Sequence, residues 1–188
     1  MRPAVIVIDM LNDFLYKECN PKLACERGFI IIPNIKKLIE AARESNVPVV
    51  YSNDAHLPND SELKIWGPHA MKRTKGAEVI SELKPASMDY QVEKRTYSGF
   101  FETGLDTLLR SLGVDMLYIT GLHTNMCDQH TSADAFFRGY KIKVVEDAVN
   151  AFTEQDHLQG LKYLNFAYGA ELIDTDSAVK DLKLKSSI

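Results

Sequence analysis

Cys127 is the residue of this chain whose surroundings best suit covalent chemistry. It ends the turn that begins at Gly121, and the residues after it have the composition of a helix. A thiol in the first turn of a helix lies near the positive end of the helix dipole, which favours the thiolate. The free backbone N–H groups of that turn also suit a developing oxyanion. Cys127 is therefore a candidate nucleophile, and the alternative is a buried, inert cysteine.

Two charged residues, Asp9 and Lys94, end predicted strands. Asp9 directly follows a continuous apolar run, where a carboxylate either caps the next element or works in a cleft. Lys94 follows Val92-Glu93, and most lysines in such positions are solvated surface groups. If Lys94 lies between Asp9 and Cys127, its charge favours both the carboxylate and the thiolate.

A second group of residues has the composition of a metal site. Asp54 and His56 follow the second predicted strand, and His69 lies in the loop that comes next. One carboxylate and two imidazoles suit a divalent transition metal with open coordination positions. An Asp-x-His pair alone is a weak signal, and the alternative is an ordinary surface loop.

The remaining histidines and cysteines give weaker signals. His130 is three residues after Cys127, so a Cys–His dyad on one helix face is conceivable, and the alternative is an exposed histidine. His157 reads as an exposed helix residue. Cys19 and Cys25 lie in a loop-like stretch without a paired Cys/His motif, and they read as reduced free thiols of a cytoplasmic protein.

The elements that must position these residues alternate between strands and helices. Continuous apolar runs predict buried parallel strands, and apolar residues at helical spacing predict the helices between them. Strands are predicted at residues 4–8, 47–51, 90–92, 116–120, 141–145 and 170–173, and helices at residues 35–43, 79–83, 105–112, 127–137 and 154–166. This alternation predicts an α/β fold with a six-stranded, mostly parallel sheet that has helices on both faces.

The carboxyl ends of parallel strands meet at one edge of a sheet, where ligands bind. Asp9, Asp54 and Lys94 end or follow the first three predicted strands, and the turn to Cys127 follows the fourth. We therefore expect all of these side chains at the same edge.

Size and charge indicate the number of domains and the kinds of partner to expect. The chain has 188 residues, which predicts one domain over residues 1–188. Its formal net charge of -4 gives no reason to expect nucleic acid or an anionic membrane as a partner. The first apolar run is too short for a signal peptide or a membrane span, which predicts a cytoplasmic protein.

Taken together, these motifs resemble the isochorismatase-like cysteine hydrolases, the superfamily of nicotinamidases and N-carbamoylsarcosine amidases. Each piece alone is weak, but the pieces follow one another in family order over most of the chain. The matching pieces are Val5-Ile6-Val7-Ile8-Asp9-Met10 with Asn12-Asp13-Phe14, Lys94 with Tyr97-Ser98-Gly99-Phe100, Thr103-Gly104-Leu105, the turn Gly121…Thr124…Cys127, and Thr131…Ala133-Asp134-Ala135.

The resemblance implies a catalytic triad of Asp9, Lys94 and Cys127 in a six-stranded fold, usually within a homo-oligomer. It implies a cis peptide bond between Leu122 and His123 at the oxyanion site. Nicotinamidases also hold a metal, which this likeness assigns to a set of three residues here, with zinc expected and iron or manganese as alternatives. That set is Asp54, His56 and His69. Phe14 and Trp66 are candidate walls of the substrate pocket.

The resemblance therefore predicts a cysteine hydrolase that cleaves a C–N bond of a small amide, as nicotinamidases do, and releases ammonia. Ala55 lies where nicotinamidases often have an aromatic residue, and His123 replaces a residue that is often small, so the substrate stays open. One alternative is a ureide hydrolase of the N-carbamoylsarcosine amidase type. Others are a metal-hydroxide hydrolase in which Cys127 is idle and an inactive member of the fold that binds a small ligand.

Overall fold

The fold, taken from a computed structural model that describes residues 1–185, is built around one sheet of six parallel strands. The strands are β1 (Pro3–Ile8), β2 (Val49–Asp54), β3 (Tyr90–Lys94), β4 (Met116–Leu122), β5 (Lys141–Asn150) and β6 (Glu171–Ile173). Their order across the sheet is β3-β2-β1-β4-β5-β6. The chain leaves β1 in one direction towards β2 and later returns to its other side with β4, so the strand order reverses beside β1.

The central strands form because their apolar runs are covered on both faces. Every residue of β1, β2 and β4 is buried. In β1, Val5 and Val7 face one hydrophobic cluster, whereas Ala4, Ile6 and Ile8 face the other. This two-sided burial is the reason that a continuous apolar run, rather than an alternating one, marks these strands in the sequence.

Seven α-helices occur within the described residues. They are α1 (Asn12–Leu15), α2 (Gly28–Glu44), α3 (Leu63–Trp66), α4 (Leu105–Ser111), α5 (Cys127–Phe137), α6 (Glu154–Tyr168) and α7 (Thr175–Lys185). Helices α2 and α7 supply apolar residues to one face of the sheet, and α4, α5 and α6 supply them to the other. None of these helices is both long and apolar enough to cross a membrane.

The predicted α/β class and the six-stranded parallel sheet are confirmed. The helix predicted at residues 79–83 is wrong. Val79 instead forms an antiparallel bridge with Leu11, the Ile80 N–H donates to the Met10 carbonyl, and only Ser81–Leu83 forms a short 3-10 turn. Pairing with the segment after β1 therefore overrides the weak helical pattern of this stretch.

Several other elements differ from the prediction: α2 begins at Gly28 rather than at residue 35, and the short helices α1 and α3 are not predicted. Strand β5 continues to Asn150, five residues beyond its expected end, and its last residues pair with the end of β4. Helix α7 was not expected, and it packs Ala178 and Leu182 into the core. Its sequence is mostly polar, with few apolar positions to reveal the buried side.

Candidate active site

The candidate site forms where four neighbouring strands end. Lys94 is the last residue of β3 and lies in register with Asp54, the last residue of β2. Asp9 follows β1, and its carboxylate accepts a hydrogen bond of 2.8 Å from the Asp54 backbone N–H. Cys127 begins α5, which follows β4. The strand order therefore brings together three charged side chains and one thiol from positions up to 118 residues apart (127 − 9).

The Lys94 ammonium is the centre of this cluster. Its Nζ lies 2.7 Å from Asp9 Oδ2 and 2.5 Å from Asp54 Oδ1, and it donates to Cys127 Sγ at 3.7 Å. All four side chains are buried. A lysine is rarely buried without anionic partners, and here the two carboxylates compensate its charge. The surface alternative for Lys94 is therefore wrong.

Asp9 and Cys127 are close enough for proton transfer. One carboxylate oxygen from each of Asp9 and Asp54 and the Cys127 sulfur all lie within 4.8 Å of one another. The Asp9 carboxylate and the Cys127 thiol each affect the pKa of the other. This arrangement meets the geometric requirement for a general base beside a nucleophile.

Burial sets the protonation of this pair. Burial and the nearby Asp54 raise the pKa of Asp9 to about 7, against the opposing effect of Lys94. Burial also holds the pKa of the Cys127 thiol well above its ordinary value, although Lys94 acts in the other direction. Burial therefore opposes the expected preference for thiolate. A carboxylate with a pKa near neutrality therefore lies beside the thiol, where it can act as a base.

The turn before Cys127 offers backbone donors. Among the described residues, neither the His123 N–H nor the Cys127 N–H donates a hydrogen bond within the protein. The peptide bond between Leu122 and His123 is cis. Donors that are free at the start of a helix suit an oxyanion.

Gly121 allows β4 to reach this turn. Its φ is +117°, and a Cβ at this position would lie 2.0 Å from the Ile8 carbonyl oxygen. Because that contact is with the backbone of β1, no side-chain movement relieves it. Glycine is therefore required for β4 to end directly beside Asp9.

A second group of buried side chains could hold a metal ion. Asp54, His56, Glu62 and His69 each offer a ligand atom, and these atoms lie within 4.8 Å of one another. The sequence analysis identified three of them and missed Glu62. No periodicity or spacing distinguishes Glu62 from Asp60 in the same loop, so only the folded chain selects it.

The orientation of the two imidazoles fits metal binding. His56 Nδ1 lies 3.1 Å from Asp60 Oδ2, and His69 Nδ1 lies 2.8 Å from the Gly67 carbonyl oxygen. Both contacts leave Nε2 to face the group, and His56 Nε2 and Glu62 Oε1 are buried without hydrogen-bond partners among the described residues. A histidine ligand usually binds the metal through one ring nitrogen while the other nitrogen is hydrogen-bonded to an oxygen. The residues therefore fit a divalent metal.

Asp54 belongs to both groups. Its Oδ1 faces Lys94, and its Oδ2 lies 3.6 Å from His56 Nε2. The sequence analysis assigned Asp54 to the metal alone. Its place in the lysine cluster follows from the register of β2 and β3, which the sequence did not give.

Aromatic rings border both groups. The centroid of the Phe14 ring lies 5.7 Å from that of His69 and 6.2 Å from that of His123. Phe14 therefore stands between the metal group, which is Asp54, His56, Glu62 and His69, and the turn that leads to Cys127. Trp66 donates a hydrogen bond of 3.0 Å to the Tyr97 hydroxyl. It is partly buried against the core, and its backbone N–H donates to the Glu62 carbonyl oxygen at 3.0 Å.

Other predicted candidates lie outside the cluster. His130 is exposed and stacks on Tyr97 rather than contacting Cys127 within the described residues, which disfavours the dyad. His157 is only partly exposed, and its Nδ1 pairs with Thr124 Oγ1 at 2.9 Å. Cys19 and Cys25 are free cysteines.

The sequence analysis also missed Asp128. It is fully buried, with neither carboxylate oxygen hydrogen-bonded within the described chain. Burial, and then the charge of Asp9, holds the pKa of Asp128 well above its ordinary value. A buried carboxyl group therefore directly follows the candidate nucleophile Cys127 in the chain.

Comparison with known proteins gives a consistent family. The model of the isochorismatase domain matches residues 3–177. The N-carbamoylsarcosine amidase of Thermoplasma acidophilum is 43% identical, with 94% of this chain and 98% of that chain covered and a TM-score of 0.87. Nicotinamidase PncA of Bacillus subtilis is 31% identical, with 93% and 100% covered and a TM-score of 0.86. The pyrazinamidase of Pyrococcus horikoshii, solved in complex with zinc, is 27% identical, with 93% and 99% covered and a TM-score of 0.84.

Proposed function

Because the chain belongs to the isochorismatase-domain family of hydrolases, we propose that it is a cysteine hydrolase that cleaves a C–N bond in a small amide or ureide. The observation that carries the proposal is the buried cluster in which the Lys94 ammonium contacts Asp9, Asp54 and the Cys127 sulfur.

The first half of the reaction transfers the acyl group to sulfur. Asp9 accepts the thiol proton, and the sulfur of Cys127 attacks the substrate carbonyl carbon, forming a C–S bond. The backbone N–H groups of His123 and Cys127 stabilise the oxyanion of the tetrahedral intermediate. Asp9 then gives its proton to the leaving nitrogen, the C–N bond breaks, and ammonia departs. Lys94 remains charged throughout and balances the negative charge that moves between Asp9 and Cys127.

The second half releases the acid. Asp9 takes a proton from a water molecule, whose oxygen attacks the thioester carbonyl. The C–S bond breaks, and the sulfur recovers the proton from Asp9. An amide substrate gives a carboxylic acid, and a ureide gives a carbamic acid.

We further propose that Asp54, His56, Glu62 and His69 hold one divalent metal ion, with zinc expected and iron or manganese as alternatives. Their mixed nitrogen and oxygen donors suit all three ions. When bound, the ion orients a polar group of the substrate or a water molecule by Lewis acidity. Asp60 and Arg95 hold the His56 ring in position for the metal. Arg95 Nε donates to Asp60 Oδ1 at 2.9 Å, and Asp60 in turn contacts His56 Nδ1.

Two substrate classes remain candidates. A nicotinamide-like amide follows from the resemblance of the sequence motifs and from the nicotinamidase among the similar structures. A ureide is favoured by the higher identity to an N-carbamoylsarcosine amidase. Ammonia release over a panel of primary amides and ureides distinguishes them, and ureides also yield carbon dioxide as the carbamic acid decomposes.

The decisive test is the Cys127→Ser variant. We expect kcat to fall by roughly four orders of magnitude or more, as for the loss of a nucleophile in other hydrolases, because Asp9 must then activate a much less acidic hydroxyl. Cys19→Ser and Cys25→Ser are the matched controls and should keep activity near wild type. Activity of Cys127→Ser at the wild-type level on any substrate would overturn the thiol mechanism and favour the metal-hydroxide alternative.

A further inference from the structure

The side chain of His123 has polar atoms that the mechanism does not use. The residue is 5% exposed, and within the described residues neither ring nitrogen has a hydrogen-bond partner. The proposed reaction involves only its backbone N–H. A buried polar group without a partner costs free energy, so an imidazole kept in this state calls for a ligand that satisfies it.

Aromatic neighbours fix the ring but leave its nitrogens unsatisfied. Phe152 stacks on His123 with the ring centroids 4.1 Å apart, and Phe14 meets it edge-on at 6.2 Å. Phe14 and Phe152 carry no hydrogen-bonding atoms on their side chains. Phe14 also contacts His69, so the His123 ring lies across Phe14 from the candidate metal ligands.

The chemistry of the ring defines what it can recognise. Burial lowers the pKa of His123 to about 4, so the imidazole is neutral near pH 7. A neutral imidazole presents one N–H donor and one nitrogen acceptor. A carboxylate can only accept and therefore satisfies one of the two. An amide or a ureide carries N–H and C=O together, so it can pair with the donor nitrogen or with the acceptor nitrogen, whichever faces the substrate.

We propose that the His123 side chain is a specificity-determining contact that binds an uncharged amide-like group at the end of the substrate remote from the scissile bond. This inference rests on the proposed function and narrows it: the substrate carries a second group with both a donor and an acceptor. Such a substrate is cut in preference to its carboxylate or apolar counterpart.

The test uses matched substrates. Malonamide, succinamide and glutaramide place a remote amide at three distances from the scissile bond. Each is compared with its monoacid counterpart and with an analogue in which a branched alkyl group replaces the remote amide. For the length that fits, we expect kcat/KM for the diamide to exceed both counterparts by roughly tenfold or more, because unpaired buried polar groups penalise the wrong substrate.

Two variants assign the preference to His123. His123→Phe keeps an aromatic ring against Phe152 and removes both nitrogens, and it should lower kcat/KM for the diamide by roughly 10- to 100-fold. The ratio of kcat/KM for the diamide to kcat/KM for the alkyl analogue should fall by the same factor, because any effect of the new ring on the oxyanion donors acts on both substrates. His123→Asn keeps a donor and an acceptor and should retain part of the preference. His157→Phe is the control histidine variant, and it should leave the substrate ratio unchanged.

Thermal stability separates recognition from a structural role. If His123 Nδ1 and Nε2 are unsatisfied in the free protein, His123→Phe should raise Tm by roughly 3 to 6 °C. His157→Phe loses its bond to Thr124 and should lower Tm. A lower Tm for His123→Phe would mean that the ring has a structural partner and would overturn the inference.

The inference and the proposed function fail in different ways. Turnover by wild type with the same diamide-to-alkyl ratio in His123→Phe would overturn the inference and leave the hydrolase intact. A preference of the wild type for the monoacids would do the same. No ammonia release from any amide or ureide would overturn the proposed function, and the inference with it.

Discussion

Lys94→Met tests whether the buried ammonium holds the site together. The substitution replaces a charge with an apolar side chain of similar length and leaves two buried carboxylates without their shared cation. At 2.7 Å and an effective dielectric constant of about 20, the attraction between Lys94 Nζ and Asp9 is about 6 kcal/mol. Much of that attraction offsets the desolvation of the charges, and loss of one buried partner typically costs about 3–5 kcal/mol. We expect the free energy of unfolding to fall by that amount, a large part of the total of about 5–15 kcal/mol.

Urea denaturation at pH 8, with protein freed of metal by a chelator, measures this loss of unfolding free energy. The matched control is Lys22→Met, whose exposed side chain should contribute within about 0.5 kcal/mol. The deficit of Lys94→Met should also grow with pH. Without the ammonium, the folded protein binds protons on Asp9 and Asp54 more tightly than the unfolded chain does, so its stability falls as the pH rises.

A second variant isolates the cause. Combining Lys94→Met with Asp54→Asn removes one of the two unbalanced charges and should recover part of the lost stability, although not the activity. Equal unfolding free energies for Lys94→Met and wild type at pH 8 would refute the reasoning. A deficit that does not depend on pH would also refute it, because it would point to packing rather than charge.

Three further predictions concern pH, the metal and the turn. Because burial raises the pKa of Asp9 to about 7, kcat/KM should rise with pH through an apparent pKa near that value as Asp9 becomes the free base; a rate that is flat between pH 5 and 8 contradicts this. Asp60→Asn should weaken metal affinity by roughly 10- to 100-fold in a chelator competition, and an unchanged affinity would remove Asp60 from the metal's support. Gly121→Ala should destabilise the fold by about 3 kcal/mol or more, because its Cβ meets the Ile8 backbone. The control, Gly139→Ala, shares a positive φ but has open space and should cost only about 1–2 kcal/mol; equal losses in thermal unfolding would disprove the steric argument.

Strand ends could be predicted from the sequence because the apolar runs stop at charged or polar residues. This is the reason that the sequence alone predicts Asp9, Asp54 and Lys94 at one edge of the sheet. Their mutual contacts depend on strand order and register, which local sequence does not encode. The pKa direction of Cys127 also depends on burial, which outweighs the effect of the nearby Lys94 cation.

The candidate metal ligands also show which site residues local sequence can and cannot predict. His56 and His69 are conspicuous because histidine is rare in this chain, which has five. Glu62 is one of many acidic residues, and only the path of the loop brings it to the group. Helix α7 escaped prediction because its buried positions are few and its remaining residues are polar.

Asp54 couples the lysine cluster energetically to the candidate metal ligands. One carboxylate oxygen faces Lys94 and the other faces His56, so a change of charge on either side is transmitted to the other. By thermodynamic reciprocity, a metal ion that alters the proton affinity of the Asp9–Cys127 pair must have its own affinity altered equally by that pair's protonation. Alkylating the thiol should therefore shift the metal dissociation constant, and stripping the metal should shift the pH at which the thiol reacts. A mutation that changes the proton affinity of the Asp9–Cys127 pair should therefore also change the metal affinity, and the converse should hold as well.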